Sequence, residues 1–338
     1  MKHIYQLIVI VACFILLVQP GIAQVGLDKI ATSTMNFQLV DISPKMAALG
    51  DASVAFSKGA ESIFFNPAAI VETPGSIDVK FFTTQWIADI NYMAGAMAIN
   101  LDRIGTFGLS FLWVDYGDIY GTSLIDQADI ALHPDGYIDN GLVSNVGAYS
   151  LGISYAYAVS TQFFIGGNMR YVGQNLGQNT IGGQLKDNDA TKLAFDAGVK
   201  YHTGFKSFRF GMAIRNFSSN MKREEISEQL PLLFTMGIAF NLFDFVQDDF
   251  FGDKTLNLAL DFQHPNNYSE RISVGLEYVL WDAIALRGGY LTNHDIADWS
   301  IGAGFRSSVA NKNIEVDYSY SNYDIFDGVN RFSLGLSF

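Results

Sequence analysis

A two-residue rhythm limits this chain more than any other feature. From Gly75 onward apolar side chains recur at every second position in segments of about ten residues. That is the period of a β-strand and the length a tilted strand needs to cross a bilayer. Leu256, Leu258, Leu260 and Phe262 alternate with Asn257, Ala259 and Asp261, while Ile272, Val274, Leu276 and Tyr278 alternate with Arg271, Ser273, Gly275 and Glu277. Ile314, Val316, Tyr318 and Tyr320 alternate with Glu315, Asp317 and Ser319, and Phe332, Leu334, Leu336 and Phe338 with Arg331, Ser333, Gly335 and Ser337. Neither a helical period nor a strand buried on both faces gives this pattern.

About fourteen such segments follow one another. They cover 75–83, 90–101, 104–115, 146–159, 162–173, 191–202, 206–217, 232–243, 254–263, 268–279, 283–291, 298–307, 311–320 and 329–338, the first two being the least regular. Short connections at 101–104, 160–161, 203–205 and 280–282 alternate with long ones at 116–145, 174–190, 218–231 and 321–328. Outer-membrane barrels have short periplasmic turns and longer outer loops. The connection 244–253 is longer, and 264–267 shorter, than its place in that scheme predicts. Tyr157, Tyr201 and Tyr278 are predicted to mark a periplasmic aromatic girdle, and Tyr171, Tyr290, Tyr318 and Tyr320 an outer one. Read as ordinary sheet aromatics of a soluble sandwich, the same residues leave the rest of the composition unexplained.

The 338 residues carry a net charge of −13, are 14% aromatic and only 16% charged. Soluble domains average nearer 25% charged. An acidic balance argues against nucleic acid, which needs a basic surface. At the front, Lys2 and His3 precede an apolar run from Ile4 to Val18 and the small residues Gly21 and Ala23, so residues 1–23 read as a signal peptide with Gln24 as the mature N-terminus. Cys13, the sole cysteine, lies inside that run, which leaves no disulfide or thiol chemistry in the mature chain. Export, abundant aromatic residues and strands without an apolar helix predict an all-β fold. Its form is a transmembrane antiparallel barrel in a Gram-negative outer membrane, in contact with outer-membrane lipid.

One stretch does not read as strand. Residues 44–70 are small and largely apolar, with Gly50 and Gly59 suited to turns and Asn66-Pro67 to a helix start, since Asn can cap and Pro is tolerated at the first helical position. A short helical turn is expected at Pro67. The division expected is thus 24–74 as N-terminal segment and plug, with Met46, Gly50, Phe56, Phe65, Asn66, Pro67 and Ala68 as plug residues, and 75–338 as barrel. The other reading makes 44–70 a mere connection into the first strand.

The charges inside strands fall on the small or polar face. They include Arg170, Asp196, Lys200, Arg209 and Arg215, then Asp261, Arg271, Glu277, Arg287, Arg306, Glu315, Asp317 and Arg331. A basic residue at the lipid midplane costs about 2–4 kcal/mol, so this segregation marks the lumen face. Two readings remain, pairing between adjacent strands or a polar path for solute. From Glu277, Arg287, Arg306, Glu315, Asp317 and Arg331, the alternation predicts cross-strand pairs inside the barrel. His133, His202, His264 and His294 lie far apart without ligand spacing, and no nucleophile, phosphate or dinucleotide motif occurs. No enzyme, metal or cofactor is expected. The loop 116–145, with Leu124, Ile125, Ile130 and Leu132 beside Asp126, Asp129 and Asp135, is predicted to engage a partner.

Several short pieces resemble the PorV/PorQ family, itself similar to FadL-type fourteen-stranded barrels with an N-terminal plug. They are residues 46–52 (MAALGDA), 65–68 (FNPA), 86–90 (WIADI), 114–118 (VDYGD), 285–290 (ALRGGY) and 331–336 (RFSLGL). Pro44-Lys45-Met46 and Ala69 depart from the family's pattern of Gly-Ala-Arg before the first Ala and Gly after Asn-Pro-Ala. The resemblance implies a role in type IX secretion, receiving secreted cargo or passing it to the surface attachment machinery. Its alternative is FadL-like passive transport of a small hydrophobic ligand.

Overall fold

Fourteen strands close into one antiparallel barrel, each paired with its sequence neighbours and the first with the last. In chain order they are β1 Ile77–Gln85, β2 Asn91–Asn100, β3 Thr106–Asp115, β4 Val146–Ala158, β5 Phe163–Ile181, β6 Gln184–His202 and β7 Arg209–Phe217. The second half comprises β8 Leu233–Asn241, β9 Thr255–Pro265, β10 Arg271–Leu280, β11 Ile284–Leu291, β12 Trp299–Val309, β13 Lys312–Tyr323 and β14 Phe326–Ser337. The computed structural model describes residues 32–125, 131–181, 184–222, 227–245, 254–294, 296–309 and 312–338. The signal-peptide reading, its cleavage after Ala23, Cys13 and the loop residues Asp126, Asp129 and Ile130 lie outside the described residues.

Closure is made by β1 against β14, from Asp78↔Ser337 to Gln85↔Asn330, and the carbonyl of Phe338 accepts from the N–H groups of Ser76 and Ile77, each at 2.9 Å. No edge remains to be covered. Alternation is plain on β14, where Phe332 is 45% exposed and its neighbour Arg331 only 2%. Outward-facing Phe, Leu, Ile and Tyr form an apolar exterior, and no described helix is long and apolar enough to span a membrane.

The structure corrects several strand ends. The loop expected at 174–190 is mostly hairpin, because β5 and β6 run on through a bulge and still pair at Ile181↔Gln184. The loop expected at 321–328 shrinks to the turn between Tyr323 and Phe326. The first extension is mostly polar, as at Asn175↔Asp189, and the second departs from alternation at the irregularity between Ser321 and Tyr323, so neither was revealed by the strand period. Residues 116–145 contain a small separate ladder, Tyr120–Leu124 against Tyr137–Leu142.

Residues Met35 to Thr73 lie inside the barrel. Where the wall of β1 to β6 surrounds this segment it is apolar on its inner face as well: Phe82, Tyr92, Leu112, Val114 and Val172 pack with Met35, Phe37 and Ile42. Across the lumen, β9 to β14 turn charges inward. The interior is therefore a mainly greasy half and a mainly ionic half, with the buried Arg170–Asp196 pair at 2.7 Å between β5 and β6, and Lys80 and Lys200, as charges on the greasy side.

Candidate functional site

The inner segment is built from four short turns, three of them 3-10 helices at Asn36–Leu39, Gly59–Phe64 and Pro67–Glu72 and one α-turn at Pro44–Ala47. The turn expected at Pro67 is present as a 3-10 helix, with the Asn66 side chain accepting from the Ala68 N–H at 3.1 Å. Ser43-Pro44 makes the same kind of start, since the Ser43 hydroxyl accepts from the Met46 N–H. That start went unread in the sequence.

Wall glycines let the segment's backbone approach. A Cβ on Gly289 would stand 2.1 Å from the Gly50 nitrogen, and one on Gly166 would stand 2.6 Å from the carbonyl of Pro67. Met46, Ala68 and Asn66 are wholly buried, and Phe56, Phe65 and Pro67 are buried too. Gly50 takes a positive φ of 64° and donates to the Ser300 hydroxyl at 3.3 Å. Asp261 reaches in from β9 and accepts from the backbone N–H groups of Ser53 and Val54 at 2.7 and 2.8 Å.

The structure divides the inward charges into separate groups. Arg287 bridges Glu277 on β10 and Asp317 on β13, at 2.7 and 2.6 Å. Arg306 meets Glu315 at 2.9 Å. Glu315 is also 2.7 Å from Lys80 of β1, which with Lys45 flanks the buried Glu61 at 3.3 Å from each lysine. Arg331 corrects the expected ladder: it turns away from these acids, donates to the Asp41 carbonyl at 2.7 Å and the Ser321 hydroxyl at 2.8 Å, and lies over the Trp86 ring. Asp261 serves the inner segment's backbone, and Arg271 sits at the loop end over Tyr268, so neither joins the network. Lys45, Glu61 and Lys80 escaped the sequence reading because nothing in spacing links residues 235 apart, as Lys80 and Glu315 are.

Near the short-turn end, Glu72 closes the segment onto β6. Its carboxylate pairs with Lys200 and lies 2.8 Å from His202 Nε2, while Lys200 donates to the Ser57 carbonyl at 2.7 Å. Burial alone would raise the Glu72 carboxyl, but Lys200 and His202 outweigh it and hold it down to about 2. A carboxylate lowered in the folded state adds stability above its ordinary pKa, and that share is lost as pH falls toward the folded value. Glu72→Gln is therefore expected to lose on the order of 3 kcal/mol at pH 7. Urea unfolding should show this gap, and should show it shrinking steadily between pH 4.5 and pH 2. A gap independent of pH would assign the loss to packing.

At the loop end a cavity of about 310 Å³ opens above the inner segment. Leu39, Val40 and Phe65 form its floor, and Trp86, Tyr268 and Tyr323 its aromatic walls. Trp86 and Tyr323 meet edge to face with centroids 5.0 Å apart. His294 caps the rim, its Nδ1 accepting from the Ala297 N–H at 2.9 Å; burial first and Arg271 second push it down to about 4, so the ring is neutral. Beneath, burial and then Asp51 push the Asp41 carboxyl well above the usual range, against the pull of Arg331. The size is that of a small-molecule site, and its lining is mixed, with Asp41, Asp51, Arg215, Gln263 and Arg271 beside the aromatic rings.

No protein-family model matches the chain, and no curated protein matches it. Solved structures do. The toluene transporter TbuX of Ralstonia pickettii aligns with a TM-score of 0.57 at 14% identity, covering 89% of this chain and 98% of that one. The toluene transporter TodX of Pseudomonas putida gives 0.54 at 12%, covering 86% and 96%. CymD, a monoaromatic hydrocarbon channel, gives 0.52 at 12%, covering 88% and 97%. At such identities the likeness is one of fold: a closed, fourteen-stranded antiparallel barrel.

Proposed function

We propose that the protein is a passive route for small hydrophobic compounds across an outer membrane, non-enzymatic, with the inner segment as its plug. The observation that carries this is the loop-end cavity, a chamber walled in part by Trp86, Tyr268 and Tyr323, whose floor is the plug itself. The apolar exterior supports the membrane location, and the short turns mark the periplasmic end by the usual asymmetry of such barrels. That TbuX and TodX are toluene transporters and CymD a hydrocarbon channel favours this reading over secretion.

A role in type IX secretion, with secreted cargo or attachment proteins as partners, is the second reading. One feature favours it: Leu124, at the end of the loop ladder, is 95% exposed and Leu132, between its two strands, 75%.

One experiment separates the two. Leu39→Trp, which fills the cavity floor, is expected to remove most uptake of labelled toluene by cells carrying the barrel, while deletion of residues 120–142 leaves uptake intact. If Leu39→Trp changes nothing and the deletion abolishes surface display of exported proteins in the native host, the secretion reading replaces the transport reading.

A further inference from the structure

A second cavity, of about 220 Å³, opens at the short-turn end beneath the plug. Five cations and four carboxylates line it, Asp282 at the turn being the fourth acid, and three of the cations have their charge matched. Lys45 lies 3.3 Å from Glu61, Arg306 lies 2.9 Å from Glu315, and Arg287 is held between Glu277 and Asp317. The other two, Lys58 from the plug and Arg209 from β7, make no side-chain hydrogen bond or ion pair among the described residues. The Arg209 Nε is buried without a partner, and its guanidinium lies 5.5 Å from the Phe56 ring centroid. A buried donor left unpaired costs about 1–3 kcal/mol, so an orphan here asks for an acceptor from outside the chain. Lys45, then desolvation at the cavity wall, then Arg306 push the Lys58 ammonium down to about 8. A lysine shifted that way faces more positive than negative charge.

We propose that this cavity is an anion site, in which Lys58 and Arg209 together bind one phosphate-type oxyanion. An arginine edge and a lysine point charge suit the tetrahedral oxygens of phosphate. A water occupies roughly 30 Å³ in the liquid, so the space admits such an anion with part of its hydration shell. Because Lys58 belongs to the plug and Arg209 to the wall, the bound anion ties one to the other. The chemistry is shared by free phosphate in the periplasm and by a phospholipid headgroup.

The test uses the full chain purified in detergent and equilibrium dialysis with labelled inorganic phosphate. Saturable binding of one phosphate per barrel is expected, with a higher melting temperature when phosphate is present. Lys58→Met and Arg209→Met should each weaken binding by about tenfold or more, the loss of one charge-assisted hydrogen bond. Lys58→Arg should retain it, and so should Lys312→Met, which removes an exposed lysine at the same end. Heat-modifiable migration on gels verifies that each variant is folded. A short-chain phosphatidylglycerol that displaces phosphate assigns the headgroup as occupant, and one that does not assigns the free anion. Absence of saturable binding, or an equal loss in Lys312→Met, would overturn the proposal.

Discussion

Replacing Arg287 by methionine is expected to lower barrel stability more than any other single change in the ionic half of the lumen. Among the described residues its guanidinium alone bridges Glu277 and Asp317, through Nε at 2.7 Å and Nη1 at 2.6 Å, and all three side chains are buried. Removing one partner from a buried ion pair costs about 3–5 kcal/mol, because the charge left behind has neither water nor counterion. Here two carboxylates lose their ion-pair partner at once, and Glu277 keeps only the Asn257 amide and Asp317 only the Ser333 hydroxyl as side-chain donors among the described residues. Arg306→Met is the control, since its side chain is 40% exposed and its pair with Glu315 is open to solvent. Such pairs are worth about 0–1 kcal/mol. Urea unfolding monitored by heat-modifiable migration should place Arg287→Met far below Arg306→Met. The triple change Glu277→Gln, Arg287→Met and Asp317→Asn should recover much of the loss. If Arg287→Met unfolds at the wild-type urea concentration, water has entered to solvate the two acids and the network is not what supports the wall.

How much of this was legible beforehand depended on the lumen's two halves. On β9 to β14 the inner face is polar and the outer apolar, so Glu277 and Leu276, or Arg331 and Phe332, differ in kind as well as in burial. There the strand period alone gives face and fold class. On β1 to β3 the inner face packs against the apolar part of the inner segment, so Phe81 and Phe82, or Leu112 and Trp113, are apolar on both sides and the period blurs. Lys80 was hidden in that blur. Strand ends failed for the opposite reason: beyond the bilayer β5 and β6 are polar on both faces, as at Asn175↔Asp189, and a polar hairpin has no signature apart from its pairing. The loop-end cavity could not be read at all. Trp86, Phe65 and Tyr268 are joined only by closure of the barrel around the plug.

Asn66→Ala should leave the barrel standing and loosen what fills it. The Asn66 side chain is wholly buried, donates from Nδ2 to the carbonyls of Val54 and Val199 at 2.9 and 3.0 Å, and accepts at Oδ1 from the Ala68 N–H. One residue thus joins two turns of the inner segment to each other and to β6. The fit is tight, since a Cβ on Gly198 would stand 2.1 Å from Oδ1. Alanine would orphan two carbonyls and one N–H, at about 1–3 kcal/mol for each group left unsatisfied. None of these bonds belongs to the strand ladders, so insertion and heat-modifiable folding should match the wild type. Planar-bilayer recordings should instead show conductance that the wild type lacks, and adding Pro67→Ala should increase it, because the fixed φ of the first helical residue is lost as well. Protease supplied at the short-turn end should cut residues 50–66 in the variant and spare them in the wild type. Wild-type cleavage in that stretch would mean that the segment leaves the lumen readily, and an equally silent Asn66→Ala barrel would place the seal in the greasy contacts of Met35, Phe37 and Ile42 rather than in this clamp.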